Sequence, residues 1–147
     1  MEKILALVFD LDETLIKSRE GIICTLEVIS KELGIVINPA IKGELVGPPL
    51  TEIIKLIAPN ESVSNLQYLK QRFIEYYDNE GCLRSELFEG IKEMLLDLKG
   101  KCPNTHFLLA TNKRSYPTHK ILSYLEISHY FDAVYCIDSI DGSNLKK

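Results

Sequence analysis

Short apolar runs and stretches with helical spacing alternate along the chain and predict its main elements. Residues 4–9 are apolar without alternation, which favours a central parallel strand that is buried on both faces of a sheet. Two more apolar runs and two stretches of helical periodicity occur after residue 84. Together they predict the elements strand 4–9, helix 91–98, strand 105–110, helix 117–125 and strand 132–137.

The segment between residues 16 and 81 has helical spacing, and no strand pattern appears in it. Segment 18–33 has apolar residues every three or four positions, and Gly34 is placed to end that helix. Gly100 is placed in the same way after the helix over 91–98. Polar residues that can cap the other helices of the segment are Asn38, Thr51 and either Ser62 or Ser64.

The order of strands and helices outside this segment is typical of a parallel α/β sheet. We therefore predict an α/β protein with a Rossmann-like parallel core, residues 1–15 and 84–147, and an inserted all-helical cap, residues 16–83. The chain has 147 residues, of which 46% are hydrophobic and 26% charged, and this suits one globular core with a small inserted domain.

Composition and charge narrow the class of partner. The net charge is −4 and the basic residues are scattered, so no basic face favours nucleic acid or an anionic membrane. The four cysteines form no C-x-x-C pair, which favours reduced thiols. No signal-peptide pattern and no run of about 18 apolar residues is present. We expect a cytoplasmic protein that acts on a small soluble substrate.

Asp10 and Asp12 directly follow the strand over 4–9 and are the main candidates for chemistry. Carboxyl ends of strands in open α/β sheets lie at the ligand crevice. Residues two apart in extended backbone point the same way, so both carboxylates can flank one substrate atom while Leu11 packs elsewhere. One carboxylate can attack phosphorus to give an acyl-phosphate, and the other can transfer protons. Two carboxylates beside an anionic substrate also indicate a hard cation, Mg²⁺.

Two other interpretations of this pair stay open on the residues alone. One is a strand that is followed by an acidic turn without chemistry, and the other is a metal-binding D-x-D of the glycosyltransferase kind. The apolar strand followed by Asp10-Leu11-Asp12-Glu13-Thr14-Leu15 resembles the first motif of the haloacid dehalogenase superfamily. The resemblance implies that Asp10 is the nucleophile and Asp12 the acid/base. The presence of the second aspartate resembles the motif of the phosphoryl-transfer members of the superfamily, because the dehalogenases lack this residue.

Two further motifs of that superfamily have counterparts here. Thr111 and Asn112, which follow the strand over 105–110, resemble the second motif, and they imply donors to a phosphoryl oxygen. The third motif is a lysine, for which we choose Lys147 with Lys146 in reserve. Lys113 is expected only to cover the rim of the cleft. The Gly47-Pro48-Pro49-Leu50 region resembles the cap loop of phosphoglycolate-phosphatase-like members.

The fourth motif, an acidic pair that completes the Mg²⁺ site, has no counterpart in the sequence. The chain therefore resembles the front part of a longer family member, with a core that is incomplete at its C-terminus. The resemblance implies a Mg²⁺-dependent phosphatase that hydrolyses a small phosphomonoester, such as phosphoglycolate or a sugar phosphate, through an aspartyl-phosphate. The alternative is a non-catalytic fragment that binds phosphate or a partner. For the 147-residue chain alone we expect little phosphatase activity and self-association through an exposed sheet edge.

Overall fold

A computed structural model describes residues 5–139 of the chain. Its strands are β1 (Ala6–Phe9), β2 (Ile16–Lys17), β3 (Glu86–Leu87), β4 (His106–Ala110) and β5 (Ala133–Tyr135). Its α-helices are α1 (Arg19–Glu32), α2 (Leu50–Ile57), α3 (Val63–Asn79), α4 (Ile91–Lys101) and α5 (Ser115–Tyr124). Short 3₁₀ helices cover Pro39–Glu44, Gly81–Arg84, Ser128–Tyr130 and Ile137–Ser139. Within the described range, no helix is both long and apolar enough to cross a bilayer.

Two compact units make up the chain. One unit comprises the described parts of Met1–Lys17 and Glu86–Lys147, and the other is Ser18–Ser85. The first contains the parallel sheet and the second is helical. The assignment of these units to a catalytic core and a cap stays a prediction.

The three main strands form a parallel sheet in the order β1-β4-β5. The register places Phe9 opposite Leu109 and Ala110 opposite Tyr135, so the carboxyl ends of the three strands meet at one edge. This confirms the predicted α/β class with a parallel sheet. Apolar side chains of the sheet and of the helices on it are fully or almost fully buried, among them Leu95, Phe107, Leu109, Ile121 and Leu122.

Strand β1 differs from the prediction of a central strand that is buried on both faces. Among residues 5–139 it has a hydrogen-bonded neighbour on one side, β4. Its exposure alternates, and the side chain of Val8 is 65% exposed, as is 67% of Leu5 just before the strand. The apolar run correctly predicted a strand, but its burial depends on neighbours that periodicity does not reveal.

The first unit also contains a two-stranded antiparallel ribbon that was not predicted. Ile16 pairs with Leu87, and Lys17 pairs with Glu86. The backbone N–H of Phe88 extends the ribbon by donating to the Leu15 carbonyl at 3.1 Å. With this pairing, the first unit extends to residue 17 and begins again at residue 86, whereas the predicted boundaries were residues 15 and 84.

Two of the three caps that the sequence indicates for the helical unit are present, whereas Thr51 lies inside α2, which has Pro49 as its N-cap. The Ser62 hydroxyl accepts from the N–H of Asn65 at 3.2 Å and starts α3, and Asn38 accepts from the N–H of Ala40 at 2.9 Å. Gly34 has a φ of +68° just after α1, as expected for a glycine that ends a helix. Gly100 was expected to end α4 but lies inside it, and Cys102 is the C-cap.

Candidate active site

The loop after β1 folds tightly around one carbonyl group. The Leu11 carbonyl accepts from the N–H groups of Thr14, Leu15 and Ile16 at 3.3, 3.0 and 3.1 Å. The side chains of Leu11 and Leu15 are buried, at 0% and 2% exposure. Glu13 takes the turn with a φ of +55°. Apolar packing and backbone hydrogen bonds therefore set the shape of the loop that bears the two aspartates.

Asp10 is exposed at the carboxyl end of β1, while its neighbour Leu11 points into the core. The Thr14 hydroxyl donates to Asp10 Oδ2 at 2.8 Å. That hydrogen bond fixes the rotamer of the carboxylate and engages one of its two oxygens. Thr14 was part of the quoted motif, but the sequence alone gave it no role.

The second loop follows β4 and is held at both of its ends. The N–H of Thr111 donates to the Tyr135 carbonyl at 2.9 Å, and the N–H of Lys113 donates to Thr111 Oγ1 at 3.1 Å. The Lys113 carbonyl accepts from the N–H of Ile137 at 3.3 Å. The loop is thus anchored to the last residue of β5 and to the segment that follows it. Asn112 is exposed at its tip.

An ion pair connects the two loops. Lys113 Nζ lies 3.1 Å from Asp12 Oδ1, and their side chains are only 7% and 16% exposed. Oδ1 is screened from solvent, and its contact with the ammonium lacks hydrogen-bond geometry, so the interaction is electrostatic. We expected Lys113 at the rim of the cleft. Its side chain is instead enclosed, and its ammonium reaches Asp12 on the neighbouring loop.

Cys136 is a buried thiol close enough to sense the charge of Lys113. Burial raises the pKa of the Cys136 thiol, and the nearby Lys113 ammonium opposes this only weakly. The thiol is therefore neutral at pH 7 and does not form an ion pair with Lys113.

The candidate donors for a cation are oxygens of the first loop. Residues 5–139 contain no cluster of three or more His, Cys, Asp or Glu side chains that could hold a metal ion. The carboxylate of Asp10 and the backbone carbonyl of Asp12 are hard oxygen donors, which suit Mg²⁺. Lys146 and Lys147, the candidates for the third motif, lie outside the described residues.

A parallel sheet with an Asp-x-Asp loop after its first strand and a Thr-Asn loop after the next defines a class of hydrolase. The family model for haloacid dehalogenase-like hydrolases matches residues 7–145. The chain belongs to this family, which confirms the resemblance predicted from the first motif.

Two curated relatives of the chain are named for different reactions of phosphoryl groups. The chain is 29% identical over 147 residues to tyrosine-protein kinase PtkA of Mycobacterium tuberculosis, and the match covers 95% of the chain and 46% of that protein. It is 26% identical over 141 residues to the N-acetylmuramic acid 6-phosphate phosphatase of Pseudomonas putida, covering 94% of the chain and 62% of that enzyme. The chain thus spans about half to three fifths of the length of these relatives.

Solved structures agree on the fold. A haloacid dehalogenase-like hydrolase from Streptococcus pneumoniae is 29% identical with a TM-score of 0.80, and the match covers 92% of this chain and 62% of that one. A protein described as a predicted phosphoglycolate phosphatase from Haemophilus somnus has a TM-score of 0.83 at 21% identity, with coverages of 96% and 66%. At that identity the second likeness supports the fold alone.

Proposed function

We propose that the protein to which this chain belongs is a Mg²⁺-dependent phosphatase that hydrolyses small phosphomonoesters through an aspartyl-phosphate on Asp10. The observation that carries the proposal is the unequal environment of two neighbouring carboxylates. Asp10 is exposed and oriented by Thr14, whereas Asp12 is largely enclosed and paired with Lys113. Neighbouring acids in different surroundings are suited to different roles in one reaction.

Asp10 supplies the nucleophile in the proposed mechanism. Thr14 engages Oδ2, so the other carboxylate oxygen forms the new bond to phosphorus as the bond from phosphorus to the ester oxygen breaks. Asp12 enters this step protonated and gives its proton to the departing alkoxide, and its ion pair with Lys113 forms as the proton leaves. In the second step Asp12 takes a proton from a water molecule, whose oxygen attacks phosphorus and releases phosphate and the Asp10 carboxylate.

Thr111, Asn112 and Lys147 are proposed to bind the phosphoryl oxygens. Thr111 and Asn112 lie at the carboxyl end of β4, the strand that pairs with β1. A hydroxyl, an amide and an ammonium group are all suitable donors to an anionic oxygen. When bound, Mg²⁺ would be held by the Asp10 carboxylate and the Asp12 carbonyl, and it would neutralise charge on the phosphoryl group.

The substrate is proposed to be a small phosphorylated metabolite. The relative from Pseudomonas putida is named for a sugar phosphate. A second candidate is transfer of a phosphoryl group to protein tyrosine, which the 29% identity to PtkA favours. A non-catalytic role in binding phosphate or a partner is the third.

The test uses the protein at its natural full length. We expect release of phosphate from sugar phosphates and from 4-nitrophenyl phosphate in the presence of Mg²⁺, and loss of this activity with EDTA. Asp10→Asn should abolish turnover, and Asp12→Asn should reduce it by about 10²–10⁴ because the proton donor is lost. Asp97→Asn, which breaks a surface ion pair with Lys101, is the control.

Three results would contradict the proposal. Asp10→Asn with a tenth or more of the wild-type rate would exclude the covalent mechanism. Transfer of phosphate from ATP to a tyrosine peptide, without hydrolysis of phosphomonoesters, would favour the kinase. Phosphate binding without either reaction would favour the non-catalytic role.

A further inference from the structure

Lys113 is a charged residue that the proposed mechanism leaves without a role. Its side chain is 7% exposed, and its ammonium lies 3.1 Å from Asp12 Oδ1. Surface ion pairs contribute little because water screens them, but enclosure strengthens the attraction between two charges. The pair also links the loop after β1 directly to the loop after β4.

The backbone of Lys113 is fixed on both sides. Its N–H donates to Thr111 Oγ1, and its carbonyl accepts from Ile137. The loop as a whole is tied to β5 by the bond from Thr111 to Tyr135. The side chain of Lys113 therefore starts from a defined point of the backbone, beside the loop that bears Asp12.

The contact engages one oxygen of Asp12 and leaves the other for chemistry. Oδ1 is buried against the ammonium, so the proton that Asp12 transfers is carried by Oδ2. A carboxyl group that is fixed in this way presents the same oxygen to the leaving group and later to water. Holding a catalytic group in position is itself a substantial part of catalysis.

We propose that Lys113 is a positioning residue for Asp12. It holds Oδ1 so that Oδ2 faces the ester oxygen, and it acts on the reaction through Asp12 rather than on the phosphoryl group. This inference rests on the proposed phosphatase function and on the role of Asp12 as proton donor. Lys113 therefore has a different role from Lys147, the lysine that is proposed to bind the phosphoryl group.

The leaving group distinguishes positioning from phosphate binding. A poor leaving group such as an alkoxide needs a proton as it departs, whereas 4-nitrophenolate departs readily without one. In the full-length protein with Mg²⁺, Lys113→Met should therefore lower kcat for an alkyl phosphate at least about tenfold more than kcat for 4-nitrophenyl phosphate. KM should change little for either substrate, and Lys113→Arg should recover part of the loss.

A double-mutant cycle tests the route of the effect. If Lys113 acts through Asp12, then Asp12→Asn and the double variant Asp12→Asn/Lys113→Met should have equal kcat for the alkyl phosphate. Both charges are absent from the double variant, so this comparison also works if Lys113→Met alone leaves Asp12 unpaired and does not fold.

Lys99→Met provides the matched control. Lys99 pairs with Asp132 at 3.2 Å in the same unit, near the amino ends of β4 and β5. Its loss should affect stability without any dependence on the leaving group. Equal losses for both substrates, a raised KM, full activity of Lys113→Met, or a further loss in the double variant would each overturn the inference. In all these cases the proposed phosphatase function still stands if the activity depends on Asp10. A wild-type protein without phosphatase activity would overturn both the proposed function and the inference about Lys113.

Discussion

Asp10 and Asp12 carry the same functional group, and what separates them is the set of atoms around each. Asp10 accepts one hydroxyl hydrogen bond and remains open to solvent. Asp12 is turned toward an enclosed ammonium group. An exposed carboxylate is accessible to a substrate, and an enclosed one is held in a fixed orientation. At the scale of single residues, this difference supports nucleophile and proton donor as their respective roles.

Thr111 offers a test of phosphate binding at the same scale. Its oxygen accepts from Lys113, and its hydrogen can be donated to a phosphoryl oxygen. In the full-length protein, Thr111→Val should lower kcat/KM by about 10²–10³, the usual effect of removing such a donor. Thr111→Ser keeps the hydroxyl and should retain most of the activity. Steady-state kinetics and thermal melts of both variants would check this, and equal rates for the two folded variants would remove Thr111 from the site.

Gly21 and Gly81 allow close contact between α1 and the turn over Gly81–Arg84. A Cβ atom on Gly21 would overlap the Gly81 carbonyl oxygen, and one on Gly81 would lie 2.8 Å from Tyr77 Cδ2. Because backbone atoms cannot move aside easily, we expect Gly21→Ala to lower the free energy of unfolding by about 1–3 kcal/mol. Urea denaturation followed by circular dichroism would measure the change.

Gly43→Ala is the control for these two glycines. Gly43 lies in the same unit, and no atom is within 4 Å of the position of its added Cβ. We expect little change in stability for this variant. If the Gly21→Ala protein is as stable as the Gly43→Ala protein, then the contact between α1 and the turn can widen without a loss of folding free energy.

At the scale of elements, hydrophobic spacing predicted helices well and predicted their ends less well. The helix over 18–33 corresponds to α1, and Ser62 starts α3 with the hydrogen bond expected of a cap. Gly100 failed as a helix end because the next residue, Lys101, continues the helix and Cys102 bonds back to Leu98. The β2–β3 ribbon was not predictable in this way, because strands of two residues have no period to detect and their partners are far apart in sequence.

Helices α1 and α3 are joined by a cluster around Glu32. Arg72 donates to both carboxylate oxygens of Glu32 at 2.9 Å, and the Tyr68 hydroxyl donates at 2.7 Å. The hydrogen bonds from Arg72, followed by that from Tyr68, lower the pKa of Glu32 from 4.5 to about 2. A lowered pKa in the folded state means that this carboxylate stabilises the fold above pH 4.5 and loses that contribution as the pH falls towards 2.

Glu32→Gln should remove this dependence on pH. We expect the wild-type chain to exceed Glu32→Gln in stability at pH 6, and the difference to shrink steadily between about pH 4.5 and pH 2. Urea midpoints at a series of pH values would measure it. Glu52→Gln on α2, where Glu52 is exposed, is the control. A difference that stays constant down to pH 2 would show that the cluster contributes no proton linkage.

At the scale of the whole molecule, the sequence predicted the parallel sheet and the helical segment but not all of the site. Two motifs at the ends of consecutive parallel strands were enough to place Asp10, Asp12, Thr111 and Asn112 at one edge. The reach of Lys113 could not be predicted, because the direction of a long side chain depends on the loop packed beside it. Likewise, the exposure of Val8 depends on which strands flank β1, and periodicity does not report this.

The exposed strand β1 leads to a prediction about association. Among residues 5–139 it pairs on one side only, and an unpaired edge with apolar side chains favours pairing with a second chain. We expect the 147-residue chain to self-associate as its concentration rises, and Val8→Lys to weaken this. Leu96→Lys, on α4 and 65% exposed like Val8, should not. Sedimentation velocity would measure both variants, and equal association of Val8→Lys and wild type would exclude this edge.

The β2–β3 ribbon has a consequence for how this architecture diversifies. Since Lys17 pairs with Glu86, the chain leaves the sheet-containing unit and re-enters it at points about 5 Å apart, the usual separation of paired residues in antiparallel strands. Residues 18–85 therefore occupy the place of a loop in a hairpin. A different segment whose ends are equally close would meet the sheet-containing unit at the same two positions. The helical unit can thus be exchanged for another segment while the aspartate loop stays unchanged.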